Sequence, residues 1–282
     1  MRRRTLILFL SFLLIAVPVM ATTPWTTKPP IGARINWGHP LSKGLVGCWL
    51  MNEGMGQRVT NIALNKQGTF VNSPTWNINR VKFVAGSMRI DNADDCAITG
   101  PWSVEIIAIQ NDTSLSQRNI VTRSDNTASF LQNYALQFDT SKFRIGSDAA
   151  AYTYLSSNAN LTQGQKYHLI GQWTGTKLEI YINGKFDNSV SMSTQPSAAS
   201  GATWFLEFGC LMDGTSSFNR FISGEIETIR IRKGYLLPSQ ISSLNSSPYQ
   251  FIEYEPWSMW GAIQQAIYTT IQSSTIQGAT IN

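Results

Sequence analysis

An all-β fold of antiparallel strands in packed layers is what this sequence predicts, and three observations carry that expectation. The stretch from Tyr167 to Val190, YHLIGQWTGTKLEIYINGKFDNSV, reads as three consecutive strands broken by two turns. Short apolar runs recur between turn residues along the whole region from Leu45 to Ile231. No long helical pattern separates them, so the strands have to pair with one another, as in a sandwich or barrel, and not through the crossovers of a parallel α/β sheet.

In the meander, Tyr167, Leu169 and Trp173 share one side of the first strand. After the Thr174-Gly175-Thr176 turn, Leu178, Ile180 and Ile182 recur with the period of two that a half-buried strand requires. Asn183-Gly184 supplies the two positive-φ positions of a type I′ hairpin. A tight hairpin closed there sets Asp187 opposite Ile180, a charge against an apolar position. The other strand-like runs are Leu45 to Met51, Gly68 to Val71, Val81 to Val84, Ser87 to Ile90, Trp102 to Ile109, Asn119 to Thr122, Tyr134 to Phe138, Phe143 to Ile145, Thr203 to Phe208 and Gly224 to Ile231. Trp49, Trp102 and Trp173 fall within strand patterns and belong in the core, whereas the sequence does not place Trp76, Trp204 and Trp257 so firmly. The stretch Pro238 to Leu244 reads as a short helix, with Pro early and serines available to cap it.

The flanks differ in character. Arg2, Arg3 and Arg4 precede the apolar run Leu6 to Val17, and Val19-Met20-Ala21 offers the small residues a signal peptidase reads, so residues 1–21 are expected to be a signal peptide. The mature protein is then secreted and extracellular. An uncleaved membrane anchor is the alternative, although the run is short of the roughly 20 residues of a comfortable span. Residues 22–36 are Pro-rich and read as an extended lead-in or linker, residues 37–246 as the folded domain, and residues 247–282 as a tail. The tail is first aromatic, able to lie back on the domain. From 256 onward it carries no charged side chain, and Thr-Ile-Gln or Thr-Ile-Asn triplets begin at 270, 275 and 280. Such a segment is either a loosely docked terminus or a strand that pairs with a neighbouring copy.

The chain has 22 basic and 17 acidic residues, but three of the arginines lie in the leader, which leaves the mature protein close to neutral. Without a Lys/Arg stripe, nucleic acid is not an expected partner, and an uncharged ligand suits the surface better. Cys48, Cys96 and Cys210 are odd in number and unevenly spaced, so no disulfide framework is indicated, though one bridge could form in an oxidising compartment.

Five segments in order resemble the LamG-like, concanavalin A-like jelly-roll family: GLVGCWLMNEGMG at 44–56, FVAGSMRID at 83–91, PWSVEIIAI at 101–109, KYHLIGQWTGTKLEIYINGK at 166–185 and GEIETIRIRKGYLLPSQISSL at 224–244. The resemblance covers residues 37–246 and implies a two-sheet antiparallel jelly-roll sandwich with one concave sheet. Ligands are then expected in the concave face or on loops along one rim. The lead-in and the aromatic sequel resemble a phage-like and metagenomic subgroup, which lends no firm biochemical role.

Candidate chemistry is sparse. Glu225 and Glu227 form a carboxylate pair on one strand, about 7 Å apart at Cα, while a retaining glycosidase needs carboxyl groups about 5–5.5 Å apart. Glucanases of the resembled family carry a further Glu three residues on, where this chain has Arg230, so the set is broken and no catalysis is expected. His39 and His168 are the only histidines, and packing or a loop hydrogen bond is the expected role of His168. No nucleophile triad or zinc spacing can be assembled. Asp91, Asn92, Asp94 and Asp95 crowd oxygen donors into one loop and form a candidate calcium site, although such residues also build ordinary turns. Trp204 with Asp213 and Asn126 is the candidate sugar-binding group, an aromatic ring beside polar side chains.

The expected function is therefore an extracellular, non-catalytic binding module whose ligand is a glycan or surface polysaccharide, by family analogy. A structural or adhesive component, such as a virion or cell-surface assembly protein that self-associates through its tail, is the first alternative. A glycoside hydrolase is the second.

Overall fold

The computed structural model describes residues 27–90, 93–125, 132–148, 152–194, 204–213 and 217–253. The strands of its first half are β1 (Arg34–Ile35), β2 (Leu45–Trp49), β3 (Arg58–Asn61), β4 (Lys66–Val71), β5 (Thr75–Asn77), β6 (Arg80–Phe83), β7 (Ser87–Ile90), β8 (Trp102–Gln110), β9 (Arg118–Asp125) and β10 (Gln132–Asp139). Those of the second half are β11 (Lys142–Asp148), β12 (Tyr152–Ser156), β13 (Lys166–Trp173), β14 (Lys177–Ile182), β15 (Lys185–Ser191), β16 (Trp204–Phe208), β17 (Leu211–Asp213), β18 (Ser217–Asn219), β19 (Gly224–Lys233) and β20 (Ile252–Glu253). The one α-helix among the described residues, α1, spans Pro238–Ser246.

The strands form two antiparallel layers. One has the order β12-β11-β10-β9-β16-β7-β4-β3 and the other β2-β19-β8-β13-β14-β15, with β6 also pairing β19. A single residue pair, Trp49 opposite Asn61, links β2 to β3 where the chain passes from one layer to the other. At the far side, Asn188 on β15 donates its side-chain amide to the Ser156 carbonyl on β12 at 2.9 Å, so the two free edges are drawn together.

The alternation read from the sequence decides the interior. Leu169, Leu178 and Ile180 of one layer meet Leu136, Ile145, Leu206 and Phe208 of the other in one continuous apolar core. Trp49, Trp102 and Trp173 are all buried. Trp49 packs edge-on against Phe208 with ring centroids 4.9 Å apart, and Trp173 Nε1 donates to the Met192 carbonyl at 2.8 Å. The layers approach so closely at Gly171 that a Cβ there would lie 2.5 Å from Ile145 Cγ2.

The hairpin turn is as expected, with φ of +50° at Asn183 and +78° at Gly184. The register beyond it is not. Tyr181 pairs with Phe186, but Ile180 pairs with Asn188, which leaves Asp187 as the extra residue of a β-bulge. The bulge turns the Asp187 carboxylate to the backbone amides of Asn158 and Ala159, at 2.6 and 3.0 Å. It removes the clash of charge and apolar row that a tight register imposes. Helix α1 also departs from expectation. Its first turn is capped by Gln240 Oε1, which accepts the Leu237 amide at 2.9 Å, and not by a serine.

A second apolar cluster covers the outer face of the β2–β15 layer. Ala33, Ile35 and Leu41 from the N-terminal side meet Ile241, Leu244, Tyr249, Phe251 and Ile252 from the C-terminal side over Cys48, Ile170 and Tyr181. The segment from 28 to 36 is thus extended but packed. Strand β1 pairs with β20, Arg34 opposite Glu253, and Lys28 Nζ donates to the carbonyls of Met51 at 3.1 Å, Glu227 at 2.6 Å and Asn79. The three cysteines are free and buried, and burial pushes the Cys96 thiol up to about 12.

Candidate functional site

Strand pairing places seven residues in one line across the β12–β3 layer. Thr69 on β4 lies opposite Arg89 on β7, Arg89 opposite Glu207 on β16, and Glu207 opposite Thr122 on β9. The line continues through Ala135 on β10 and Gly146 on β11 to Tyr154 on β12. Their neighbours along each strand, including Phe70, Met88, Leu206, Val121, Leu136, Ile145 and Leu155, point into the core. The seven therefore point the other way.

The line has a definite relief. Thr122, Ala135, Gly146 and Glu207 in the middle are buried, so the line reaches solvent only at its ends, through Thr69 and Arg89 on one side and Tyr154 on the other. Toward one end the Arg89 guanidinium stacks on the Phe205 ring at 3.5 Å, and Phe205 shares a face with Glu207 two residues on. At the other end Arg144 stacks on Tyr154, also at 3.5 Å, while its Nη1 meets Asp139 Oδ2 at 3.2 Å. Tyr154 is 40% exposed. From Arg89 to Tyr154 the line crosses five strand spacings, or about 24 Å at the usual 4.8 Å each. A hydroxyl and a guanidinium at one end and an aromatic ring at the other are groups that recognition of a hydroxyl-rich chain uses.

The residues expected to bind a ligand are placed differently. Trp204 is only 3% exposed, with the Arg123 guanidinium 4.6 Å from its ring centre, so its face is covered and Phe205 and Tyr154 hold the outward positions. Asp213 ends β17, and Asn126 lies outside the described residues. Of the candidate calcium ligands, Asp91 and Asn92 also lie outside them. Asp94 is turned to Arg123 Nη2 at 3.9 Å and Asp95 is paired with Lys66. Among the described residues no group of three His, Cys, Asp or Glu is suited to a metal.

Glu225 and Glu227 do not act as a pair. A bulge falls between Ile226 and Thr228. Glu225 pairs with Arg80 at 3.0 Å, whereas Glu227 takes Lys166 at 3.3 Å and the Tyr249 hydroxyl at 3.0 Å. Arg230, in the position of the family's missing acid, points instead to Glu105 directly across on β8.

Glu105 is the centre of a buried polar group that sequence reasoning missed. It lies on the outer face of its layer, sealed under the second apolar cluster. Oε1 meets Arg230 and, at 3.0 Å, His168 Nε2; Oε2 accepts from Arg232 at 2.9 Å. Burial alone would raise the Glu105 carboxyl, but the Arg230 and Arg232 guanidiniums and the His168 bond outweigh it and hold the group well below the usual carboxylate range. Phe251 covers both guanidiniums, 5.0 and 5.6 Å from its ring. The signal available in the sequence was the alternation Ile229-Arg230-Ile231-Arg232, with outward arginines beside a lone outward Glu on a neighbouring strand.

The model of the concanavalin A-like lectin/glucanases superfamily, Laminin_G_3, matches residues 85–242. The chain belongs to this superfamily. Among solved structures, a concanavalin A-like domain of this shape is similar to part of Trypanosoma rangeli sialidase in complex with 2,3-difluorosialic acid, a covalent intermediate. There the TM-score is 0.58 at 14% identity, over 74% of this chain and 33% of that one. It is also similar to the binding domain of botulinum neurotoxin DC in complex with SialylT, with a TM-score of 0.57 at 12% identity, over 73% of this chain and 52% of that one. The same toxin domain in complex with rat synaptotagmin II gives 0.57 at 12% identity, over 72% and 52%. These likenesses are of fold, and the superfamily domain spans a third to a half of those structures. No curated protein matches the chain. No helix among the described residues is long and apolar enough to cross a membrane.

Proposed function

We propose that this protein is a secreted, non-catalytic glycan-binding module that takes its glycan on the solvent-reaching residues of the outward line of the β12–β3 layer. The observation that supports the reading is what the line presents to solvent: Thr69 and Arg89 supply hydrogen-bonding groups at one end and Tyr154 offers an aromatic edge to the apolar face of a sugar ring at the other, while Glu207, Thr122, Ala135 and Gly146 are buried beneath and between them. Hydrolysis is disfavoured because Glu207 has an arginine, not a second carboxylate, as its neighbour on β7, and because Glu225 and Glu227 are each held by cations. The superfamily's lectin members and the sialylated ligand named for the toxin domain agree with a glycan as the ligand class.

The test is a glycan array of the mature protein, with and without EDTA, followed by affinity electrophoresis of Tyr154→Ala and Arg89→Ala. Binding by the native protein that both substitutions weaken supports the reading. Sensitivity to EDTA adds calcium held through Asp91, Asn92, Asp94 and Asp95. Release of reducing sugar, abolished in Glu207→Gln, would replace the module with a hydrolase. An array blank under both conditions, with a protein that becomes monomeric when residues 256–282 are deleted, would instead favour the assembly reading, in which the uncharged tail joins copies.

A further inference from the structure

We propose that Arg232 and Ser103, beside Arg230, hold a small monovalent anion of halide size beneath the terminal segments, on the face opposite the glycan line. The first ground is charge. The single carboxylate of Glu105 meets two guanidiniums, and all three side chains are excluded from solvent. The buried group therefore carries one surplus positive charge. Cys48, which lies opposite Arg230 on β2, does not cancel it, because burial pushes its thiol up and keeps it neutral. Phe251 and Tyr249 present ring faces to the guanidiniums, which eases the charge without neutralising it. An uncompensated charge in such a place is strongly unfavourable.

The second ground is unmade hydrogen bonds. Arg230 spends Nη1 on Glu105 and Nη2 on the Pro248 carbonyl at 2.6 Å, and Arg232 spends Nη1 on Glu105 and Nε on the Leu41 carbonyl at 3.3 Å. Arg230 also bonds the Cys48 side chain opposite it, whereas Arg232 Nη2 is left fully buried with no acceptor among the described residues. So is the hydroxyl of Ser103, which lies directly opposite Arg232 across β8 and β19 and shares its face with Glu105 two residues on. Two donors without an acceptor beside a positive surplus are the chemistry of an anion site. The closed apolar cover of Leu41, Leu45 and Phe251 restricts the occupant to a small ion and keeps out a carboxylate borne on a larger molecule.

The test is thermal unfolding of the intact protein in sodium chloride, sodium bromide and sodium gluconate at matched ionic strength, in the native sequence and in Ser103→Ala. The expected result is a saturable rise in Tm with either halide and not with gluconate. In Ser103→Ala, which removes one donor and little volume, the halide midpoint should move up about tenfold. Bromide crystals should show anomalous density beside Arg232. Identical curves in halide and gluconate, or anomalous maps blank at that point, would overturn the proposal and assign the donors to buried water. Neither result bears on glycan binding, which involves the other layer.

Discussion

The carboxylate of Asp187 accepts the backbone amide of Asn158 at 2.6 Å, and Asn158 returns its side-chain amide to the Asp187 carbonyl at 2.9 Å. This reciprocal pair fastens the bulge of β15 to the loop after β12, at the seam where the two layers would otherwise part. Asp187→Ala removes the acceptor for two amides, and a loss of about 1–2 kcal/mol is expected in urea denaturation. Asp187→Asn, which keeps one acceptor oxygen, should lose about half as much. Equal stability of Asp187→Ala and the native protein would show that the seam is held by other bonds.

Glu105 should dominate the response to acid. Its folded-state carboxyl lies well below the unfolded value, so the stability it contributes is present above pH 4 to 5 and is lost as pH falls toward the folded-state value. Glu105→Gln leaves two guanidiniums without their carboxylate and should cost about 3–5 kcal/mol at pH 7. The variant should also show a shallower loss of stability between about pH 5 and pH 3 than the native protein. Denaturation curves at several pH values would check both, and parallel slopes would count against the assignment.

Gly171 tests the spacing of the layers. Gly171→Ala places a Cβ against Ile145, and overpacking of this kind costs about 1–3 kcal/mol. Pairing it with Ile145→Val, which withdraws one methyl from the same core, should recover part of the loss. A double-mutant cycle reads this directly, and simple additivity would mean that the layers separate freely at that point.

The Arg144–Tyr154 stack should matter more for ligand than for folding, because Tyr154 lies on an exposed edge. Tyr154→Phe, which keeps the ring and removes the hydroxyl, should retain most glycan retardation in an affinity gel, whereas Tyr154→Ala should lose it with a Tm within a few degrees of the native value. Loss of retardation in Tyr154→Phe as well would make the hydroxyl the recognised group.

The sequence carried the meander, the Asn183-Gly184 turn and the inward tryptophans because each depends on residues close together in the chain. Asp187 was legible as a conflict but not as its solution, since its partners lie in a loop some 28 residues away. Arg230 and Arg232 read as outward residues, and they are. What a strand pattern does not reveal is that Leu41, Tyr249 and Phe251 fold over that face and turn surface charges into buried ones. The binding line was hidden for a related reason. Thr69, Arg89, Thr122, Ala135, Gly146, Tyr154 and Glu207 come from seven strands, and only the pairing registers bring them into one row. Trp204 illustrates the opposite error, an aromatic chosen by composition that the alternation of β16 turns inward.

Because Arg34 on β1 and Glu253 on β20 are direct partners, the first and last described strands run side by side, about 5 Å apart across the ladder. Two terminal strands joined in one ribbon share any mechanical load, so a pull applied at either must shear the other before it reaches the layers beneath.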